Sequence, residues 1–106
     1  MTHILMIAAE NGALPGGKVG GIGDVVRDVP LALAARGCSV TVLTPAYGSF
    51  TDLPGASKIT SLEASFAGAR QPFDLFELPS REDAGGVRHV VVDHPLFSVC
   101  GCLLYT

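Results

Sequence analysis

Residues 3–43 spell strand, glycine loop, helix, strand, and few folds accept that order in so short a span. Ile4 to Ala9 is a continuous apolar run of strand length that stops at Glu10-Asn11-Gly12. Such a run is the pattern of a strand buried on both faces of a parallel sheet. A glycine-rich loop follows over residues 10–21, and then Ile22, Val25, Val26, Val29 and Leu33 recur at intervals of three and four, a helical stripe. The helix is expected to end at Arg36-Gly37, with Gly37 in a left-handed cap position and Arg36 complementing the negative end of the dipole. Pro30, inside the stripe, removes one backbone donor and is expected to bend the helix near Val26. Ser39 to Leu43, SVTVL, is a second β-branched strand. Together these make one right-handed βαβ unit. The turn-rich stretch Thr44 to Gly55 then belongs at the carboxyl edge of the sheet, where open α/β sheets bind ligands.

The pattern changes after Gly55. Lys58 to Phe66, Phe73 to Leu78 and Val87 to Val92 read as three strands without intervening helices, separated by Gly68 to Pro72 and by Ser80 to Gly86. Adjacent strands without crossover helices imply an antiparallel meander inserted in the α/β frame. The chain has 106 residues, room for one small core. Its hydrophobic fraction of 48% against 16% charged is high for a domain that must cover its own surface, and implies faces meant for a partner. The final segment, SVCGCLLYT, is apolar and uncapped, and has the character of a chain cut short.

Several function classes drop out on composition. Seven Lys and Arg against ten Asp and Glu give a net charge of -3, with no basic stripe to neutralise a phosphate backbone, so nucleic acid is not an expected ligand. Cys38, Cys100 and Cys102 lack a partner quartet at zinc spacing and read as reduced thiols of a cytoplasmic protein; no metal is expected. The apolar run Ile4 to Ala9 is too short for a signal-peptide core or a membrane span. His3, His89 and His94 read as exposed or strand-flanking residues.

Three readings compete for residues 12–24 within the stretch GALPGGKVGGIGDVV. Gly12, Gly17 and Lys18 fit the spacing of a Walker A loop, but Val19 stands where a Mg²⁺-binding hydroxyl is needed. A dinucleotide fingerprint cannot be aligned between strand and helix. The third reading is an anion site: Gly20 and Gly21 let the backbone approach a ligand, the helix start offers N–H groups and a positive dipole end, and Lys18 adds a full charge. A plain flexible loop with a solvated Lys18 is the alternative.

Glu10, then Lys18-Val19-Gly20-Gly21-Ile22-Gly23-Asp24-Val25-Val26, then Leu31 to Ala34 with Arg36-Gly37, and then Val40-Thr41-Val42-Leu43-Thr44-Pro45-Ala46-Tyr47-Gly48-Ser49-Phe50 resemble the start of the bacterial glycogen synthases and plant starch synthases. That family carries K-x-G-G-[LI]-x-D-V-V after its first strand and P-x-Y-G-S after its second; the region ending Val91 to Phe97 is similar too. The resemblance implies the Rossmann-like amino-terminal lobe of a GT-B glycosyltransferase, incomplete here, with the active site in a cleft against a second lobe that these residues lack. It implies retaining transfer of glucose from ADP-glucose or UDP-glucose to the 4-hydroxyl at the end of an α-1,4-glucan, with no metal or redox cofactor.

By matching position, the resemblance makes Lys18 the contact to the donor's phosphates and Gly20 and Gly21 the backbone bordering them. Asp24 either bonds glucosyl or acceptor hydroxyls or merely answers the helix dipole. Glu10 either faces the cleft or orients the loop. Tyr47 and Gly48 lie on the glucan side, where the tyrosine ring either stacks on sugar or packs the loop. The loop Asn11 to Gly17 departs from the best-known members, which leaves donor base and acceptor open. With half a cleft, these residues alone are expected to show no transfer; a stand-alone phosphate- or glucan-binding module is the alternative function.

Overall fold

A computed structural model of the chain describes residues 2–14, 20–48, 50–79 and 86–98. Five strands form one mixed sheet in the spatial order β1-β2-β5-β4-β3. β1 (His3–Ile7), α1 (Gly21–Ala35) and β2 (Ser39–Pro45) are the expected βαβ unit, with β1 and β2 parallel and Ile4 beside Val40. α1 ends as its sequence implies, with Arg36 at the cap and Gly37 at φ 90°. It continues through Pro30, which is buried.

The apolar stripe is corrected by the packing. Gly23, Val26 and Pro30 are the buried residues of α1, with Leu33 and Ala34 packed beside them, whereas Ile22, Val25 and Val29 are exposed. Each set repeats at three and four residues, so the helix carries two overlapping apolar faces. Periodicity alone does not say which one meets the sheet. Under α1, Val26 packs with Val40 and Val42 of β2 and with Val87. A second cluster, Leu14, Ala46, Phe50, Leu78 and Val91, sits at the carboxyl end of the parallel strands.

β3 (Ser57–Phe66), β4 (Ala69–Leu78) and β5 (Val87–Asp93) form the expected antiparallel meander. It is continuous with the α/β frame, because β5 lies parallel to β2 with Val40 beside Val87 and Leu43 beside Val90. The loop expected over Gly68 to Pro72 is instead a two-residue turn, in which Ala67 (φ 53°) and Gly68 (φ 79°) both take the left-handed conformation that matches strand twist. β4 therefore starts early, and Pro72 is tolerated inside it. β5 meets β4 only as far as Asp74, so the missing N–H of Pro72 falls where β4 has a neighbour on one side alone.

β1 also departs from expectation. Its two faces were expected to be buried, yet Leu5 is 59% and Ile7 73% exposed. β1 is an edge strand, and among the described residues no α-helix covers the sheet face opposite α1. On that face Ile7, Leu43, Leu62, Phe73, Leu75 and Phe97 line an open apolar groove. No described helix is long and apolar enough to cross a membrane.

Candidate functional site

Three segments meet at the carboxyl ends of the parallel strands: the residues after β1, the start of α1, and the residues after β2. Glu10 organises the first two. It is buried, 7% exposed, and its carboxylate accepts the Gly20 N–H at 3.0 Å through Oε2 and the Gly23 N–H at 2.8 Å through Oε1. Gly20 is the N-cap residue of α1 and has no side chain to cap with. Glu10 supplies that cap from ten residues upstream, with a negative charge at the positive end of the helix. Through these two bonds Glu10 orients the loop against the start of α1.

The expectation that the helix start offers free donors is accordingly narrowed. Gly20 and Gly23 donate to Glu10, so the Gly21 and Ile22 N–H groups are the donors of this turn without an acceptor among the described residues. Gly21 is exposed, and a methyl group built on it would meet nothing within 4 Å. Ile22 is 60% exposed. Two adjacent outward N–H groups at a helix start can hold an anion, though against the field of Glu10.

Asn11 and Gly12 fix the loop on its other side. The Asn11 side chain accepts the Ala13 N–H at 2.9 Å through Oδ1 and donates through Nδ2 to His89 Nδ1, also at 2.9 Å. Gly12 N–H donates to Gly23 O at 3.0 Å, laying the loop directly on the first turn of α1. Neither Asn11 nor His89 was a candidate on sequence. Their partnership joins residues 78 apart, and no local pattern announces it.

The loop after β2 closes on the same segment. Tyr47 takes φ 54° and Gly48 φ 76°, and Tyr47 Oη donates to Ala9 O at 2.7 Å. The ring packs beside the cluster of Leu14, Ala46 and Phe50. Tyr47 is thus a loop-packing residue in this structure, one that ties the end of β2 to the end of β1. Asp24 lies in the first turn of α1, partly exposed, with Arg27 Nη2 at 3.2 Å from its Oδ1. Arg27 is also paired with Asp28, whose hydrogen bond and charge hold the guanidinium pKa above its ordinary value.

Lys18 lies outside the described residues, as do Val19, Ser49, Cys100 and Cys102. The remaining candidates, Glu10, Gly20, Gly21, Asp24, Tyr47 and Gly48, are gathered at this one edge by the contacts above and by the first turn of α1. The histidine expectation is corrected for His89, which lies inside β5; His94 follows the last residue of that strand, the flanking position expected of it. His89 is 6% and His94 5% exposed, His94 stacking on Phe73 with ring centroids 4.4 Å apart, while His3 is exposed. Burial pushes the His89 pKa down. Among the described residues no cluster of His, Cys, Asp or Glu is arranged to hold a metal ion.

Residues 3–106 match the starch synthase catalytic domain family. A granule-bound starch synthase 1 of Manihot esculenta is 35% identical over 95 residues, which cover 90% of this chain and 14% of that protein. A glycogen synthase of Anaeromyxobacter sp. (strain Fw109-5) is 37% identical over 87 residues, 82% of this chain and 18% of that one. The catalytic domain of starch synthase IV from Arabidopsis thaliana, solved bound to ADP and acarbose, superposes with a TM-score of 0.76 at 25% identity, over 99% of this chain and 21% of that one. The chain therefore spans less than a quarter of the length of these relatives, and its mixed sheet matches the amino-terminal lobe of their GT-B catalytic domain.

Proposed function

The chain belongs to the starch synthase catalytic domain family, and on that footing we propose that it is the amino-terminal part of a retaining glucosyltransferase. The reaction proposed moves glucose from ADP-glucose or UDP-glucose to the 4-hydroxyl at the end of an α-1,4-glucan. The observation that carries it is the convergence at one sheet edge: the loop after β1, the start of α1 and the loop after β2 are bonded together around Glu10. A protein of the same fold binds ADP and acarbose, a nucleoside diphosphate and an oligosaccharide analogue, which supports the two substrate classes.

In this reading the donor diphosphate lies over the start of α1. The Gly21 and Ile22 N–H groups face it, and Lys18, assigned by its place in the motif, supplies the positive charge. As the glycosidic bond breaks, negative charge grows on the departing diphosphate, and groups already oriented toward it stabilise that charge without reorganising. Glu10 makes Lys18 more important, because its carboxylate offsets the dipole that would otherwise attract the phosphates. Asp24 is in place for a sugar hydroxyl. Tyr47, through its hydroxyl bond to Ala9, and the adjacent Gly48 shape the acceptor side. These residues form one wall of a cleft, and we expect no transfer by the chain alone.

The test is a titration of ADP-glucose, UDP-glucose and a maltooligosaccharide into the complete enzyme carrying this lobe, with and without Lys18→Ala. Loss of the lysine should weaken donor binding, leave the glucan arm nearly unchanged, and lower transfer on the order of 100-fold. Equal donor binding by both forms would remove the anion site. Binding of the glucan alone, with neither donor bound by either form, would point to a carbohydrate-binding module instead.

A further inference from the structure

We propose that His89 and Asn11 are a positioning pair: neutral His89, with its proton on Nε2, holds Asn11 and through it the segment that caps α1. The proton assignment follows from a backbone group. Ala13 N–H can only donate, so the amide oxygen of Asn11 must face it, at 2.9 Å. That leaves the Asn11 amide nitrogen facing His89 Nδ1 at 2.9 Å. An NH₂ group has no acceptor to offer, so Nδ1 must present its lone pair, and the single proton of the neutral ring sits on Nε2.

A second proton on His89 finds no place in this arrangement. It would set N–H against N–H at Nδ1, and turning the Asn11 amide over would only move the same conflict to Ala13. Asn11 is 1% and His89 6% exposed, so water is not at hand to take up the lost bonds. What would be released is the loop at the candidate site. Asn11 O accepts the Leu14 N–H, Gly12 N–H donates to Gly23 O, and Glu10, the preceding residue, holds the N–H groups of Gly20 and Gly23.

The surroundings favour the neutral ring. In the sheet His89 is flanked by Val42 of β2 and Leu78 of β4, neither titratable. The titratable group of the loop is Glu10, whose carboxylate is turned to α1. The charged groups of this part of α1, Asp24, Arg27 and Asp28, are ion-paired with one another. Desolvation is what lowers the His89 pKa. Protons taken up by the unfolded chain near the ordinary histidine value of about 6.5 are therefore refused by the fold. The stability due to neutral His89 is complete above that value, declines as pH falls below it, and stops declining once the folded-state pKa has been passed.

The test is an NMR pH titration of the ¹⁵N-labelled full chain from pH 8 downward. The expected result is the Nε2–H tautomer of His89 at pH 8, with the Ala13, Gly20 and Gly23 amides shifting at the midpoint of the His89 ring. An Nδ1–H tautomer, or Gly20 and Gly23 amides that stay flat through the His89 midpoint, would overturn the proposal. Asn11→Asp is the second arm. A carboxylate accepts from both Ala13 and a protonated His89, so this variant should raise the His89 midpoint by at least about one unit and hold the Gly20 and Gly23 amides in place through it. An unmoved midpoint in the folded variant counts against the pair.

The consequence for donor binding rests on the proposed function and is read separately, as ADP-glucose affinity of the complete enzyme. It should weaken about tenfold across the His89 midpoint, and not in Asn11→Asp. Moving amides with ADP-glucose bound equally at both ends of the range would overturn this consequence. Moving amides with no ADP-glucose bound at any pH would support the pair and overturn the function.

Discussion

At Gly12 the fold has no room for a methyl group. A Cβ there would lie 2.5 Å from the carbonyl oxygen of Gly23 and 3.0 Å from its carbon, both backbone atoms that cannot swing aside. Gly12→Ala must lift the loop off α1 and break the Gly12 N–H bond to Gly23 O. The expected cost is about 1–3 kcal/mol, read as a lower urea midpoint. An unchanged midpoint would mean that the loop is not seated on the helix. Gly21 is the converse case, because nothing lies within 4 Å of a methyl group built there. As the first residue of α1 it weakens the helix relative to alanine by up to about 1 kcal/mol, and no described contact requires it. Gly21→Ala should therefore keep or raise stability while weakening ADP-glucose binding by the complete enzyme. If donor binding is unaffected, Gly21 does not border the donor. Both glycines stand out in the sequence as parts of one loop, yet only the structure separates a glycine held by packing from one with open space beside it.

The start of α1 is where two elements depend on a single side chain. Glu10→Gln keeps the shape but turns an NH₂ group toward either Gly20 or Gly23 and removes the charge that answers the helix dipole. Stability should fall by about 2 kcal/mol, since a hydrogen bond to a charged group is lost at a buried site. Thermal melting checks this, and a variant as stable as the parent would show that Glu10 does not cap α1. The order of elements was legible in the sequence because each is announced locally: an apolar run for β1, SVTVL for β2, and Gly37 for the end of α1. The beginning of β4 was not, because Arg70, Gln71 and Pro72 break the alternation that marks a strand, and pairing with Glu63 to Ser65 of β3 overrides it. The packed face of α1 was not legible either, since Val25 and Val26 are equally apolar neighbours. Of the site, the glycine loop and the tyrosine loop could be found from their residue types. The roles of Asn11 and His89 could not, because these depend on a sheet register that brings β5 between β2 and β4.

Across the whole molecule, apolar surface is distributed unevenly between the two faces of the sheet. One face carries α1 and two buried clusters; the other presents Leu5, Ile7 and Leu62, each more than half exposed, around the groove that Phe73, Leu75 and Phe97 help to line. Toward the opposite end of that face the surface turns polar, with Arg88 making two bonds to the Glu77 carboxylate and holding its pKa below the usual range. A mixed sheet of this kind in α/β proteins is ordinarily covered on both sides, which accounts for a hydrophobic fraction of 48% in so small a chain. The isolated chain should therefore bind an apolar dye such as anilinonaphthalene sulfonate while retaining its far-ultraviolet dichroism. Ile7 is 73% and Leu62 54% exposed, so replacing both by lysine removes little packing. Ile7→Lys combined with Leu62→Lys should cut the dye signal by at least about half and shift stability by no more than about 0.5 kcal/mol per site. A dye signal untouched by both substitutions would place the accessible apolar surface elsewhere. A large loss of stability would instead show that Ile7 and Leu62 are already packed in the chain as it folds.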